Sequence, residues 1–204
     1  MDGLDVATPA ETILSCARYL ALLDLVILGD SALHAGDCSE RDLRAAAEQR
    51  RRGARALRRA LPLMHPRTES PGETLLRILH TSSGVPVEPQ FVVHQGDRVV
   101  GRADLRICGT RRLPEYDGAY HRDPAQYERD RRREGRLRSL GWEPFSYSVE
   151  SVLREPVRIL RDADGALGRA HRPQRIKAFY DLLNGSSYTK LGAAQLRARL
   201  GIGN

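Results

Sequence analysis

The chain has 204 residues, enough for one well-buried core and a small second unit. It carries 33 Lys and Arg against 26 Asp and Glu, a net charge of +7, which suits a polyanionic partner as well as simple solubility. Aromatic residues make up only 5%, which argues against a single-strand binder built on stacking platforms. The three cysteines, Cys16, Cys38 and Cys108, are odd in number and lack metal-ligand spacing, which argues against a disulfide framework and a zinc cluster. No charged start followed by an apolar run and cleavage site marks a signal peptide. The most apolar stretch, residues 19–28, is too short to span a bilayer and contains Asp24, so a cytoplasmic protein is expected. The positive charge is nearly all arginine, since Lys177 and Lys190 are the only lysines. Arginine forks suit phosphates, although genome composition produces the same bias.

In chain order, Thr8-Pro9-Ala10-Glu11 is a capping box with proline at the first helical position, and Ile13, Leu14, Ala17 and Leu20 form the stripe that follows. A second helix through Leu23, Val26 and Ile27 is expected to close at Gly36. Ser39 caps a third, with Asp42 three residues on. Residues 50–61 read as a surface helix, helical except at Gly53, that Pro62 stops. Its arginines, Arg50, Arg51, Arg52, Arg55, Arg58 and Arg59, make either a solvated face or a contact to a DNA backbone. Residues 1–65 are thus expected to be a helical unit.

Ser70-Pro71-Gly72-Glu73 opens another helix, carrying Leu75, Leu76, Ile78 and Leu79. Glu73 either closes a capping box or points at a carboxylate cluster. Three strands are expected next, over residues 88–93, 99–107 and 113–117, and antiparallel pairing is their simplest topology. A basic helix over 123–140 and a strand over 142–147 complete a mixed α/β core, residues 66–155. Pro144 demotes the last strand to an edge or a bulge. Residues 156–204 are expected to be a helical extension, with helices over 173–183 and 189–200.

The chemistry concentrates in GRADLRICGTRRLPEYDGAYH, residues 101–121. Asp104, Glu115 and Asp117 lie on neighbouring strands, and Glu115 and Asp117, two apart, leave the same face. Three carboxylates at a strand end form a hard-oxygen site suited to Mg²⁺, and a basic segment for a phosphate backbone follows at once. The alternative is a hairpin whose acids face water.

SPGE at 70–73, ADL at 103–105, EYDGAYH at 115–121 and a basic helix ending in Gly141-Trp142 occur in that order. This order resembles the endonuclease-like domains related to the very-short-patch-repair endonucleases, within the PD-(D/E)XK nuclease superfamily. The helical stretch before it is similar to the segment preceding this domain in longer bacterial relatives. Those relatives begin with a winged-helix unit similar to abortive-infection antitoxins; no such wing is read here, so the chain is expected to be shortened at its start. Three features depart from the family pattern. No lysine lies in residues 1–176, Ser146 stands where an arginine is usual, and Pro114 and Pro144 interrupt strands.

The resemblance implies a restriction-endonuclease-like core with a mixed four-stranded sheet, and metal-dependent hydrolysis of phosphodiester bonds in DNA. Asp104, Glu115 and the carbonyl of Tyr116 would hold Mg²⁺ or Mn²⁺, with Glu73 assisting and Asp117 as a further ligand or as the group orienting His121. His121 would act as general base, or as the acid that protonates the leaving oxygen. Arginine cannot replace the missing lysine as a base, but Arg102 or Arg122 would stabilise charge. Arg129, Arg132, Arg133 and Arg136, facing away from the sheet, would bind phosphates, or would pair with Glu128, Asp130 and Glu134. The rival expectation is a catalytically inactive DNA-binding or regulatory protein on the same fold. A homodimer that cuts both strands is left open.

Overall fold

The computed structural model describes residues 6–118 and 124–202, with backbone alone for 124–127. The chain forms two compact units, one of Met1–Pro71 with Tyr180–Asn204 and one of Gly72–Phe179. The boundary expected at residue 65 thus falls at Pro71, and residues 156–204 are divided between the two units instead of forming one extension.

In the first unit, α1 (Pro9–Cys16) starts with the expected capping box: Glu11 N–H donates to the Thr8 hydroxyl at 3.2 Å, and Thr8 N–H donates to the Glu11 carboxylate at 3.1 Å. α2 (Leu22–Ala35) ends on Gly36, whose φ of 73° is open to glycine without strain. α3 (Glu40–Glu48) carries the same reciprocal cap from Ser39 and Asp42. Gly53, expected to interrupt the helix over 50–61, has φ 97°, and a side chain there would strike the Leu14 carbonyl oxygen. α4 (Ala54–Ala60) therefore begins after it, leaving Arg50, Arg51 and Arg52 ahead of the helix, and Pro62 sits in a closing 3-10 turn. Leu14, Leu23, Val26, Leu43 and Leu57 of these four helices are fully buried.

The second unit opens with α5 (Pro71–Ser82), whose Leu75, Leu76, Ile78 and Leu79 are fully buried as expected. β1 (Val87–Gln95) and β2 (Arg98–Ile107) form an antiparallel hairpin that turns at Gly96. β3 (Arg112–Asp117) then departs from the expected antiparallel order. It pairs in parallel with β4 (Glu143–Ser148), Glu115 opposite Ser146, and α6 (Pro124–Ser139) supplies the long connection that a parallel pair requires.

The architecture is a mixed α/β fold with a helical N-terminal part, as expected, but its sheet is two two-stranded ladders among the described residues. β2 and β3 run side by side, and the Tyr116 N–H donates to the Asp104 carboxylate at 2.7 Å across the gap. Val93, Ala103, Leu113 and Leu137 form the core under these strands, with Phe91, Val100 and Trp142 packed against it. β4 pairs only with β3 among the described residues, which tolerates the lost donor of Pro144.

α7 (Val149–Arg154) and α8 (Pro156–Ala166) follow, α8 opening the stretch expected to be helical. A 3-10 turn over Pro173–Ile176, α9 (Lys177–Leu183) and α10 (Lys190–Leu200), capped by Thr189, complete the chain. Among the described residues no helix is long and apolar enough to cross a membrane.

Candidate active site

Strands β2 and β3 and helix α6 enclose a pocket of about 160 Å³. Asp104, Glu115, Tyr116, Asp117, Asp130, Arg133, Glu134, Pro144 and Ser146 line it. The expected carboxylates Asp104, Glu115 and Asp117 therefore share one cavity. Glu73, at the start of α5, is close enough to act electrostatically on Asp104. Gly72 beside it backs onto the Tyr116 ring so closely that a methyl group would collide with it. This holds the start of α5 against β3.

Helix α6 is rotated so that Leu137 is wholly buried under the strands. Arg133, four residues earlier, lies on the same face, and Gly101 of β2 leaves room for its stem. The Arg133 guanidinium forks onto Glu115, donating from Nη1 to Oε1 at 3.0 Å and from Nη2 to Oε2 at 2.7 Å. Nη1 also donates to the Arg102 carbonyl at 2.8 Å. Arg133 thus belongs to the acidic pocket, which corrects its expected outward placement. Among the described side chains of α6, Leu137 alone is apolar and marks its inner face. Counting four residues back from that leucine is the signal that identifies Arg133.

Asp104 is half-buried, and its acidity reflects its neighbours. Burial is the largest effect and pushes its pKa up to about 7, with Glu73 and Glu115 adding to it; the Tyr116 N–H and Arg133 oppose the rise.

Gln90 is the residue that reading the sequence missed. Its φ of 53° is the one positive value among described non-glycine residues. The β1–β2 register runs unbroken past it, Pro89 facing Leu105 and Phe91 facing Ala103, so it lies across from Asp104. Its Nε2 donates to Glu73 at 2.8 Å, and its Oε1 is buried with no hydrogen-bond partner among the described residues. Strict alternation through Phe91 and Val93 assigns Gln90 to the outer face, and the left-handed backbone overrides that assignment. Backbone strain of this kind costs on the order of 1–3 kcal/mol and concentrates at functional sites.

Among the described residues, no group of three or more His, Cys, Asp and Glu side chains is arranged to hold a metal ion. Both oxygens of Glu115 accept from Arg133, and one oxygen of Asp104 accepts from Tyr116. The donor set still suits magnesium, which is commonly held by one or two carboxylates completed by neutral oxygens and substrate phosphate. Asp104 and Glu115 supply carboxylates of this kind, and Gln90 Oε1 is a neutral oxygen with no hydrogen-bond partner among the described residues.

The remaining expected residues are dispersed. His121 and Arg122 lie outside the described residues. Arg102 is exposed on β2, and Arg129, Arg132 and Arg136 are exposed on α6. Arg132 pairs with Glu128 at 3.0 Å, so the ion-paired reading applies to it. Ser146, where the family pattern has arginine, lines the pocket opposite Glu115.

No family model matches the chain, and no solved structure does. It is similar to two uncharacterized proteins of Mycobacterium tuberculosis, MT2308 of strain CDC 1551 / Oshkosh and Rv2248 of strain ATCC 25618 / H37Rv. Each is 33% identical to it over 174 residues, which is 83% of this chain. The chain matches 64% of the length of each of these relatives.

Proposed function

We propose that this protein is a metal-dependent endonuclease that hydrolyses phosphodiester bonds in DNA, of the very-short-patch-repair-like branch of the PD-(D/E)XK superfamily. One observation carries the reading: Asp104, Glu115 and Asp117 share a pocket with an arginine, and an orphaned amide oxygen lies beside Glu73. Asp104, Glu115 and the Tyr116 carbonyl would hold Mg²⁺ or Mn²⁺, with the Gln90 oxygen as a neutral donor. When bound, such an ion polarises a phosphate and lowers the pKa of a coordinated water.

The chain's own side chains do the rest. Gln90 holds Glu73 in place. Arg133 orients Glu115 through its fork and would supply a fixed positive charge to a phosphate bound in the pocket. That charge offsets the missing lysine electrostatically but not as a base, because arginine does not release its proton. His121 is the proposed proton carrier, with Asp117 orienting it. The three free cysteines agree with a reducing, cytoplasmic setting.

The Arg133–Glu115 fork supports a second reading. An acid already neutralised by a bidentate guanidinium suits a protein that binds DNA without cutting it. Plasmid nicking with Mg²⁺ or Mn²⁺ separates the two. A nuclease nicks as wild type and loses nicking in Asp104→Ala and Glu115→Ala. Metal-independent binding without cleavage, unchanged in both variants, establishes the regulatory reading instead.

A further inference from the structure

The helical unit contains a wide groove of about 670 Å³ between the end of α1 and the start of α4. Arg18, Arg52, Arg55 and Arg59 line it with Tyr19, and no acidic residue does. The four arginines make no ion pair and no side-chain hydrogen bond among the described residues. Elsewhere the chain matches its arginines within a single turn: Arg44 with Glu40, Arg132 with Glu128, Arg138 with Glu134, Arg154 with Glu150 and Arg158 with Glu155.

Part of the charge in the groove is placed against local stability. α4 has no acid in its first turn, and Arg55 lies there, at the end where the helix dipole disfavours cations. Arg55 and Arg59 are four apart on one face, a repulsive spacing for like charges. Gly53 brings the chain so near the Leu14 carbonyl that no side chain fits, which sets the groove floor. Arg59, in the last turn, sits where the dipole favours a cation, but helix stability does not account for Arg55 or for the Arg55–Arg59 spacing, whereas a bound polyanion does.

We propose that this groove docks the sugar-phosphate backbone of duplex DNA. Charge complementarity identifies the occupant, since arginine forks match phosphate oxygens in pairs. Arg55 and Arg59 are separated by a rise of about 6 Å along the helix axis, roughly two nucleotide steps of one strand. Tyr19 offers no open platform for a base, because the Arg18 guanidinium lies 5.2 Å over its ring. Arg199 donates to the Tyr19 carbonyl at 2.9 Å and holds this corner in place. The surface makes no use of the acidic pocket, so the proposal stands whether or not that pocket cuts DNA.

The test is fluorescence anisotropy of the full chain with a labelled mixed-sequence DNA duplex across a salt series. The proteins are wild type, Arg55→Ala/Arg59→Ala, and Arg154→Ala/Arg158→Ala as a control of equal charge at exposed, ion-paired positions outside the groove. All three arginine positions 52, 55 and 59 are exposed, so the double variant keeps its fold, which circular dichroism verifies. Loss of two phosphate contacts makes the slope of log affinity against log salt shallower by about 1.8. Affinity then falls at least tenfold at low salt, while Arg154→Ala/Arg158→Ala keeps the wild-type slope. An RNA duplex in parallel identifies the source of the backbone: equal loss assigns any nucleic acid, loss for DNA alone assigns DNA. An unchanged slope in the groove variant overturns the proposal. So does equally tight, equally groove-dependent binding of polyglutamate, which would assign the surface to acidic protein.

Discussion

Asp104 and His80 are two half-buried or buried titratable groups of one unit with opposite pH linkage. Asp104 is held at about 7 by burial, Glu73 and Glu115, well above the ordinary aspartate range. Between about pH 4 and 7 the folded chain keeps a proton that the unfolded chain has lost, so this group lowers stability as pH rises through that window. His80 is fully buried, with Nδ1 2.7 Å from the Leu76 carbonyl, and burial holds its pKa down at about 4. Between about 4 and 6.5 the unfolded chain binds the extra proton, so His80 raises stability as pH rises. The two partly cancel, and a difference between variants isolates Asp104. Asp104→Asn keeps an oxygen for the Tyr116 N–H and removes the titration. Relative to wild type, it is expected to gain on the order of 2 kcal/mol between pH 5 and 8, measured by urea unfolding in EDTA. A constant difference across that range would mean that Asp104 ionises like a solvated acid.

At the scale of elements, the fold is held by polar ties as well as by its cores. Asp164 on α8 is fully buried and accepts from Arg169 Nε at 2.9 Å, His171 Nδ1 at 2.9 Å and Arg175. The two arginines reach on to the carbonyls of Gly84 and Ser83, at 3.1 and 3.3 Å, and so fasten α8 to the end of α5. Burial alone would raise the Asp164 pKa; the three donors reverse that and hold it at about 2. This contribution is complete above about pH 4 and fades as pH falls towards 2. Asp164→Asn leaves both guanidiniums facing a neutral amide. The expected cost is about 2–3 kcal/mol at pH 7, below that of a sealed pair because Arg169 and Arg175 remain 35% and 25% exposed. Trp142, the single tryptophan, lies in the same unit and reports the transition by fluorescence. A loss under about 0.5 kcal/mol would show the tie to be incidental.

Such ties explain what the sequence does and does not reveal. The Thr8–Glu11 and Ser39–Asp42 caps, the Gly36 stop and the apolar stripe of α5 are set by neighbours within four residues, and each is legible. Asp104, Glu115 and Asp117 were legible as a group because short strands bring them to one sheet end. The β3–β4 pairing was not, because its partners lie on either side of a sixteen-residue helix. Asp164 looks like any surface acid until the chain beyond it folds back. Gln90 needed a backbone angle that no side-chain pattern encodes.

The whole molecule carries one further consequence of distance in sequence: the first compact unit is discontinuous, built from Met1–Pro71 and Tyr180–Asn204. Asp24, in the first turn of α2, is where the two pieces are joined. Its carboxylate accepts from the Ser186 hydroxyl at 2.5 Å, the Ser187 hydroxyl at 3.1 Å and the Ser187 N–H at 3.0 Å. Leu183 is buried in the same unit. A chain ending at residue 179 strips Asp24 of these donors while leaving it among apolar helices, and a buried acceptor without partners costs about 1–3 kcal/mol, more if charged. With the lost apolar contact, the helical unit is expected to be weaker by roughly 3–5 kcal/mol. Hydrogen exchange reads this directly: amides of α1–α4 should exchange at least a hundredfold faster in the truncated chain. Full-length Ser186→Ala, which removes one donor and keeps every apolar contact, should move the same amides by about 1–2 kcal/mol. Protection of α2 equal to wild type in both proteins would mean that the N-terminal helices form a unit of their own, with the C-terminal piece a passive attachment.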